Sequence, residues 1–272
     1  MGENIHVLDD TRRRRAADLL AAAERDRAPI DPLADLFPGI DVVDAYEIQL
    51  AGIRRRVAAG AVVRGHKVGL SSPVMQQMMG VDEPDYGHLL DDMALDEHIP
   101  VPVAAYCAPR IEVEVGFLLG ESLPGAGCTE QDVLRATEAL VPSIELIDSR
   151  IRDWKIGIAD TIADNASSAG FVLGAARVDP AQVDLTAVDA VRCRTGDDGA
   201  DEVVTEGRSD AVLGNPARAV AWLANTVAAF GVRLEAGHIV LPGSCTRAVD
   251  VFAGDRFRAE FTGLGAVGIT FA

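Results

Sequence analysis

Apolar residues recur at helical spacing in two early stretches of the chain. The first runs from Thr11 to Arg25, with Asp9, Asp10 and Thr11 as opening signals and an alanine-rich middle of high helix propensity. The second runs from Asp41 to Ala59, where Val42, Tyr46, Gln49, Leu50, Ile53 and Val57 share a helical stripe and Gly60 marks the stop. The pattern then changes period. Val62 to Leu70 reads as a strand, and Ser72-Pro73 reads as the cap and first residue of a short helix ending near Gly80. The methionines of that helix, Met75, Met78 and Met79, read as packing residues. A turn-rich segment, Asp82 to His98, leads to a long apolar run centred on Ile111 to Leu119. Thr129 and Asp132 announce another helix, with Pro142 as the break after it, and a short strand follows from Ser143 to Asp148. The stretch Asp160 to Ser168 is polar and reads as a functional loop. Beyond Gly170 the signals are mostly those of strands, interrupted by one helix from Asn215-Pro216 to about Gly231. This predicts an α+β protein, with a helical region over 1–70 and a larger, curled β-rich domain over 71–272 that carries the chemistry.

One run breaks the ordinary strand pattern. In Arg110-Ile111-Glu112-Val113-Glu114-Val115 the apolar residues take one face and two glutamates take the other. Like charges on one strand face repel. A wet edge strand tolerates them, and so does a divalent cation held by oxygen ligands. Glu145 is a third carboxylate between apolar neighbours, and Lys67 lies in a glycine-rich strand. A carboxylate donor set with few histidines near it favours Mg²⁺ or Mn²⁺ over Zn²⁺ or Cu²⁺.

Charge sharpens this picture. The 272 residues carry a formal net charge of −17, which excludes the basic footprint of a nucleic-acid-binding protein. Such a surface does not steer an acidic substrate, so an acid must be held by a local cation or lysine. Four widely spaced cysteines form neither a zinc ribbon nor a disulfide framework. With no secretory h-region and no long apolar run, the expectation is a cytoplasmic protein without a membrane span.

Five motifs in order then carry a resemblance over nearly the whole chain: Gly65-His66-Lys67-Val68-Gly69-Leu70-Ser71, Pro84-Asp85-Tyr86-Gly87, Pro109-Arg110-Ile111-Glu112-Val113-Glu114, Ser149-Arg150-Ile151-Arg152-Asp153-Trp154 and Ala163-Asp164-Asn165-Ala166-Ser167. The sequence resembles the 2-keto-4-pentenoate hydratases (2-hydroxypenta-2,4-dienoate hydratases). These belong to the fumarylacetoacetate hydrolase superfamily, together with the 4-oxalocrotonate decarboxylases.

The resemblance implies a fumarylacetoacetate-hydrolase-like mixed β-roll preceded by a helical region. It implies Mg²⁺ or Mn²⁺ on Glu112, Glu114 and Glu145, with Asp148 in a supporting role. It implies Lys67 and Asp85 as proton-handling residues, and Ser167, Gly69 and Leu70 as substrate-binding residues. His66 and His88 are read as packing or hydrogen-bonding groups, and Arg110 as a brace for the carboxylates. The implied reaction takes a 2-hydroxydienoate from aromatic-ring meta-cleavage, ketonises it, and adds water at C4. Alternatives are decarboxylation of 4-oxalocrotonate at the same site, or a non-catalytic role in a hydratase/decarboxylase complex. Leu241 to Arg247 is the segment expected to line the distal pocket and separate the two reactions. A homo-oligomer is implied, with a pathway decarboxylase or aldolase as a possible partner.

Overall fold

The computed structural model describes residues 8–196 and 199–272, except for the side chains of Met78 and Met79. Three helices come first: α1 (Asp10–Asp26), the short α2 (Leu33–Leu36) and α3 (Val42–Ala58). Side chains of Asp9 and Asp41 cap α1 and α3 by accepting from Arg12 N and Asp44 N. Next are β1 (Val63–Gly69), α4 (Pro73–Met79), β2 (Asp85–Leu90), β3 (Arg110–Leu119), α5 (Glu130–Ala136) and β4 (Thr137–Ile147). The chain continues through α6 (Ile158–Ala163), β5 (Ser168–Leu173), β6 (Asp189–Thr195), β7 (Asp201–Arg208) and α7 (Pro216–Ala228). It closes with β8 (Ile239–Leu241), β9 (Val249–Asp250), β10 (Arg256–Phe261) and β11 (Gly265–Thr270).

Seven strands form one sheet in the order β2-β1-β8-β3-β4-β5, with β9 pairing on β3. The other four form a sheet in the order β11-β10-β6-β7. β10 shows why the second sheet packs: Phe257, Ala259 and Phe261 point inward while Arg256, Arg258 and Glu260 stay exposed. The apolar side of β3 behaves likewise, with Ile111, Val113 and Val115 fully buried in the main core. Each such side chain contributes about 1.5–3 kcal/mol through burial. Helix α3 lies against α1 and α6, and its Tyr46 and Gln49 meet Tyr86 and His88 of β2. Among the described residues, no helix is long and apolar enough to cross a membrane.

Three local expectations are corrected. Pro142 does not break the chain; it lies inside β4, opposite Val115 of β3. Its carbonyl accepts from Gly174 N at 2.9 Å, so its missing N–H faces a neighbour just beyond the last residue of β5. The reciprocal bond that its missing N–H cannot make, to Gly174 O, is replaced by one from Arg177 Nη1 at 2.7 Å. The segment after Gly157 is a helix, α6, rather than a loop, because Asp160 accepts from Gly157 N at its start. Met75 is 45% exposed, since α4 sits at the surface, and the expected packing of Met78 and Met79 lies outside the described residues.

Candidate active site and metal centre

The register of β3 and β4 brings the three glutamates together. Glu112 stands directly opposite Glu145, and Glu114, two residues on, stands opposite Ser143. One carboxylate oxygen from each of Glu112, Glu114 and Glu145 lies within 4.8 Å of the others. Glu114 and Glu145 have no accessible surface, while Glu112 keeps some. Gly243 N donates to Glu114 Oε2 at 2.7 Å. Glu114 Oε1 and both oxygens of Glu145 have no hydrogen-bond partner.

Burial raises the pKa of all three carboxyls. Glu112 is pushed up to about 7 by burial, Lys67 opposing and Glu145 reinforcing the shift. Glu114 is held well above the usual range by burial and by the charges of Glu145 and Glu112. Glu145 is raised by burial, against the pull of Lys67. Buried lone pairs without donors are costly, and three converging carboxylates compound the cost. A hard divalent cation satisfies both demands with the donor set it prefers, so the residues fit Mg²⁺ or Mn²⁺.

Lys67, on β1, reaches this group from the side. Its Nζ lies 3.3 Å from Glu145 Oε2 and donates to Ala166 O at 2.9 Å. Burial alone would lower its pKa, but Glu145, Glu112, Asp85 and Glu114 outweigh it, so the ammonium form persists. Asp85 pairs with Gly69 across β1 and β2. A Cβ on Gly69 would collide with Asp85 Oδ1 and come within 3.6 Å of Lys67 Nζ. Glycine at 69 therefore makes the room in which the acid and the ammonium approach each other. Thr161 Oγ1 donates to Asp85 Oδ2 at 3.0 Å, whereas Oδ1 is buried without a partner. Burial raises the Asp85 pKa, against Lys67 and Thr161. Leu70 takes a left-handed φ of 53° at the end of β1, and its carbonyl accepts from Gln76 Nε2.

The carbonyl that receives Lys67 is delivered by an unusual turn. Asn165, Ala166 and Ser167 all have left-handed φ, at 55°, 51° and 57°. Each costs roughly 1–2 kcal/mol for a residue other than glycine. Surrounding bonds hold the turn. Asn165 Oδ1 accepts from His88 N, its Nδ2 donates to His88 O, and buried Arg150 donates to both side chain and carbonyl of Asp164. Ser167 Oγ is buried without a partner, as an unfilled donor toward a ligand would be. Its neighbour Ser168 lies beside Glu145 and favours that carboxylate's charged form, though without a well-aligned hydrogen bond.

Other expected residues lie around this centre. Asp148 accepts from Cys107 N and Ala108 N, a backbone-fixing role. Arg110 does not brace the triad. It pairs with Asp250 at 2.7 Å and stacks on Trp154, because it sits at the outer end of β3. His66 and His88 occupy the opposite face of β1 and β2, their rings 4.7 Å apart. In the 241–247 segment, Cys245 N donates to Val113 O. Sequence reasoning missed Arg192, Thr161 and Gly243. Arg192 has no exposed surface and donates to Ile111 O and Arg247 O, tying β3 to that segment. An arginine in a strand reads as an outward residue, and only the packing of the second sheet turns it inward.

Residues 81–272 match the family described as fumarylacetoacetate (FAA) hydrolase C-terminal. The chain belongs to the fumarylacetoacetate hydrolase family. Within that family, it is 42% identical over 259 residues to the 2-keto-4-pentenoate hydratase of Paraburkholderia xenovorans (strain LB400), covering 95% of this chain and 94% of the relative. It is 43% identical over 254 residues to the 2-hydroxyhexa-2,4-dienoate hydratase of Comamonas testosteroni, covering 93% and 94%. A solved structure, the 4-oxalocrotonate decarboxylase from Pseudomonas putida G7 complexed with magnesium and adipate, superposes with a TM-score of 0.92. The two are 34% identical, covering 97% of this chain and 99% of that one.

Proposed function

We propose that this protein is a metal-dependent hydratase of 2-hydroxypenta-2,4-dienoate or its methyl-extended six-carbon homologue, forming the 4-hydroxy-2-oxo acid. The observation that carries the reading is the buried convergence of Glu112, Glu114 and Glu145 beside Lys67, with Glu114 Oε1 and Glu145 Oε1 unpartnered. The hydratase names of relatives at 42% and 43% identity support the reaction class.

A divalent cation on the three glutamates, Mg²⁺ or Mn²⁺, supplies a Lewis acid for the negative charge that develops at the substrate's C2 oxygen. The residues supply the rest. Ketonisation removes the proton from the C2 hydroxyl and places one at C5. Water addition then puts hydroxyl on C4 and a proton on C3. Asp85 Oδ1, buried and unpartnered, is the atom proposed to carry the proton in these transfers, because burial brings its carboxyl toward the neutral range. The Lys67 ammonium stays charged beside it and orients the substrate's carboxylate or enolate oxygen. Ser167 Oγ is assigned a hydrogen bond to the substrate carboxylate, and the backbone at Gly69 and Leu70 borders the bound acid.

Loss of the dienol absorbance should require Mg²⁺ or Mn²⁺ and yield the 4-hydroxy-2-oxo acid. Full activity in Glu112→Gln or Glu145→Gln would sink the metal assignment. The magnesium-complexed decarboxylase fold favours one second reading, decarboxylation of 4-oxalocrotonate. CO₂ release from that acid, with no hydration of the dienoate, would establish it instead.

A further inference from the structure

We propose that Thr161 is a positioning residue that fixes which oxygen of Asp85 faces the reaction, and that Gln49 holds the two residues in register. This rests on Asp85 being the proton carrier. Thr161 Oγ1 donates to Asp85 Oδ2 at 3.0 Å, leaving Oδ1 as the buried, unpartnered oxygen on the Gly69 and Lys67 side. A carboxyl free to rotate would present either oxygen. One donor to a single oxygen removes that freedom and leaves the other oxygen to exchange the proton.

The hydrogen bond joins two elements far apart in sequence, β2 and α6, so their spacing has to be set independently. Gln49 on α3 does this. Its Nε2 donates to Tyr86 O and to Ile162 O, both at 2.8 Å, and these are the residues following Asp85 and Thr161. The double donation fixes the amide's orientation, so Oε1 is the acceptor facing His88 Nδ1 at 3.1 Å. Asp160, preceding Thr161, accepts from Leu33 N and Gly157 N and anchors the start of α6. The path from helix layer to acid is thus His88, Gln49, two backbone carbonyls, Thr161 and Asp85, each step a hydrogen bond or a peptide neighbour.

The test uses the Mg²⁺-loaded enzyme and the dienol assay. Thr161→Val keeps the shape and removes the donor; Thr161→Ser keeps the donor. The valine variant should lose about 10–100-fold in kcat with KM and Mg²⁺ affinity within ~3-fold of the parent, and the serine variant should stay within ~3-fold throughout. In an Asp85→Asn background Thr161→Val should have no further effect. Wild-type kcat in Thr161→Val, or a serine variant as impaired as valine, overturns the positioning role. Full activity in Asp85→Asn overturns the reading of Asp85 instead. Thr161→Ala, judged by the same split, serves if the valine variant does not fold.

Discussion

The two faces of β1 and β2 pose the same problem and solve it differently. One face carries Lys67 and Asp85, the other His66 and His88, and all four side chains are at most 3% exposed. Burial drives each toward its uncharged form, raising the acid and lowering the imidazoles. On the histidine side nothing resists. His88 is held by Gln49, the Tyr46 and Tyr86 rings stack at 4.6 Å nearby, and the imidazoles stay neutral. On the acid side three more carboxylates and an ammonium converge, and neutrality cannot satisfy them all. A strand pair can therefore bury polar groups on both faces, but only the face that gathers unmatched charge is suited to bind a cation and do chemistry.

The largest expected effect breaks the acid face directly. Glu145→Gln removes a proposed metal ligand and a partner of Lys67, and kcat/KM for the dienoate should fall by about 10³-fold or more at saturating Mg²⁺. Lys67→Met should follow, losing about 10²–10⁴-fold while still binding Mn²⁺, as followed by the ion's electron spin resonance. A lysine variant with unchanged turnover would remove that side chain from the chemistry.

Stability measurements sharpen the contrast further. At a Mg²⁺ concentration about 100 times its Kd, the folded state should gain about 2.7 kcal/mol over chelated protein in urea unfolding. The pH dependence should then differ in sign between the faces. In chelated protein Glu112 has a folded pKa raised to about 7, above its unfolded value near 4.5. Its stabilising contribution is present below about 4.5 and is lost as pH rises through 7, roughly 1–3 kcal/mol. Mg²⁺ held as proposed should reverse that slope, since a cation favours the ionised carboxylates. His88 has a folded pKa lowered to about 4 from 6.5 by burial, so its contribution is full above 6.5 and is lost as pH falls toward 4. Relative to wild type, His88→Gln should flatten that acid limb by roughly 1–2 kcal/mol, the smallest of these effects. An unchanged limb would mean the imidazoles are not the groups that resist burial.

Much of the acid face was legible before folding. The period-two run around Glu112 and Glu114 named its own face, because side chains in a strand alternate. Glu145 stood out as a third carboxylate between apolar neighbours, and the cross-strand register places it opposite Glu112. The caps at Asp9, Asp41, Ser72 and Thr129 were likewise local signals that the structure uses. What was illegible depends on contacts between distant segments. Pro142 looked like a breaker because only the end of β5, where Arg177 donates to Gly174 O, shows how its missing N–H is replaced. Thr161 looked like one polar residue among many until α6 brought it to Asp85. Arg192 could not be told from a solvent-facing arginine without the second sheet.

β8 has a consequence for how the protein is made. This three-residue strand lies between β1 and β3, parallel to one and antiparallel to the other, and Gly243 just beyond it donates to Glu114. The ribosome releases β1 and β3 long before β8, and domains are completed only as such distant partners arrive. Until residues 239–243 emerge, no strand joins β1 to β3 in the sheet, and Glu114 lacks the donor at Gly243. The sheet that carries Lys67 and the three glutamates is thus closed only when about nine-tenths of the chain, 243 of 272 residues, is in place.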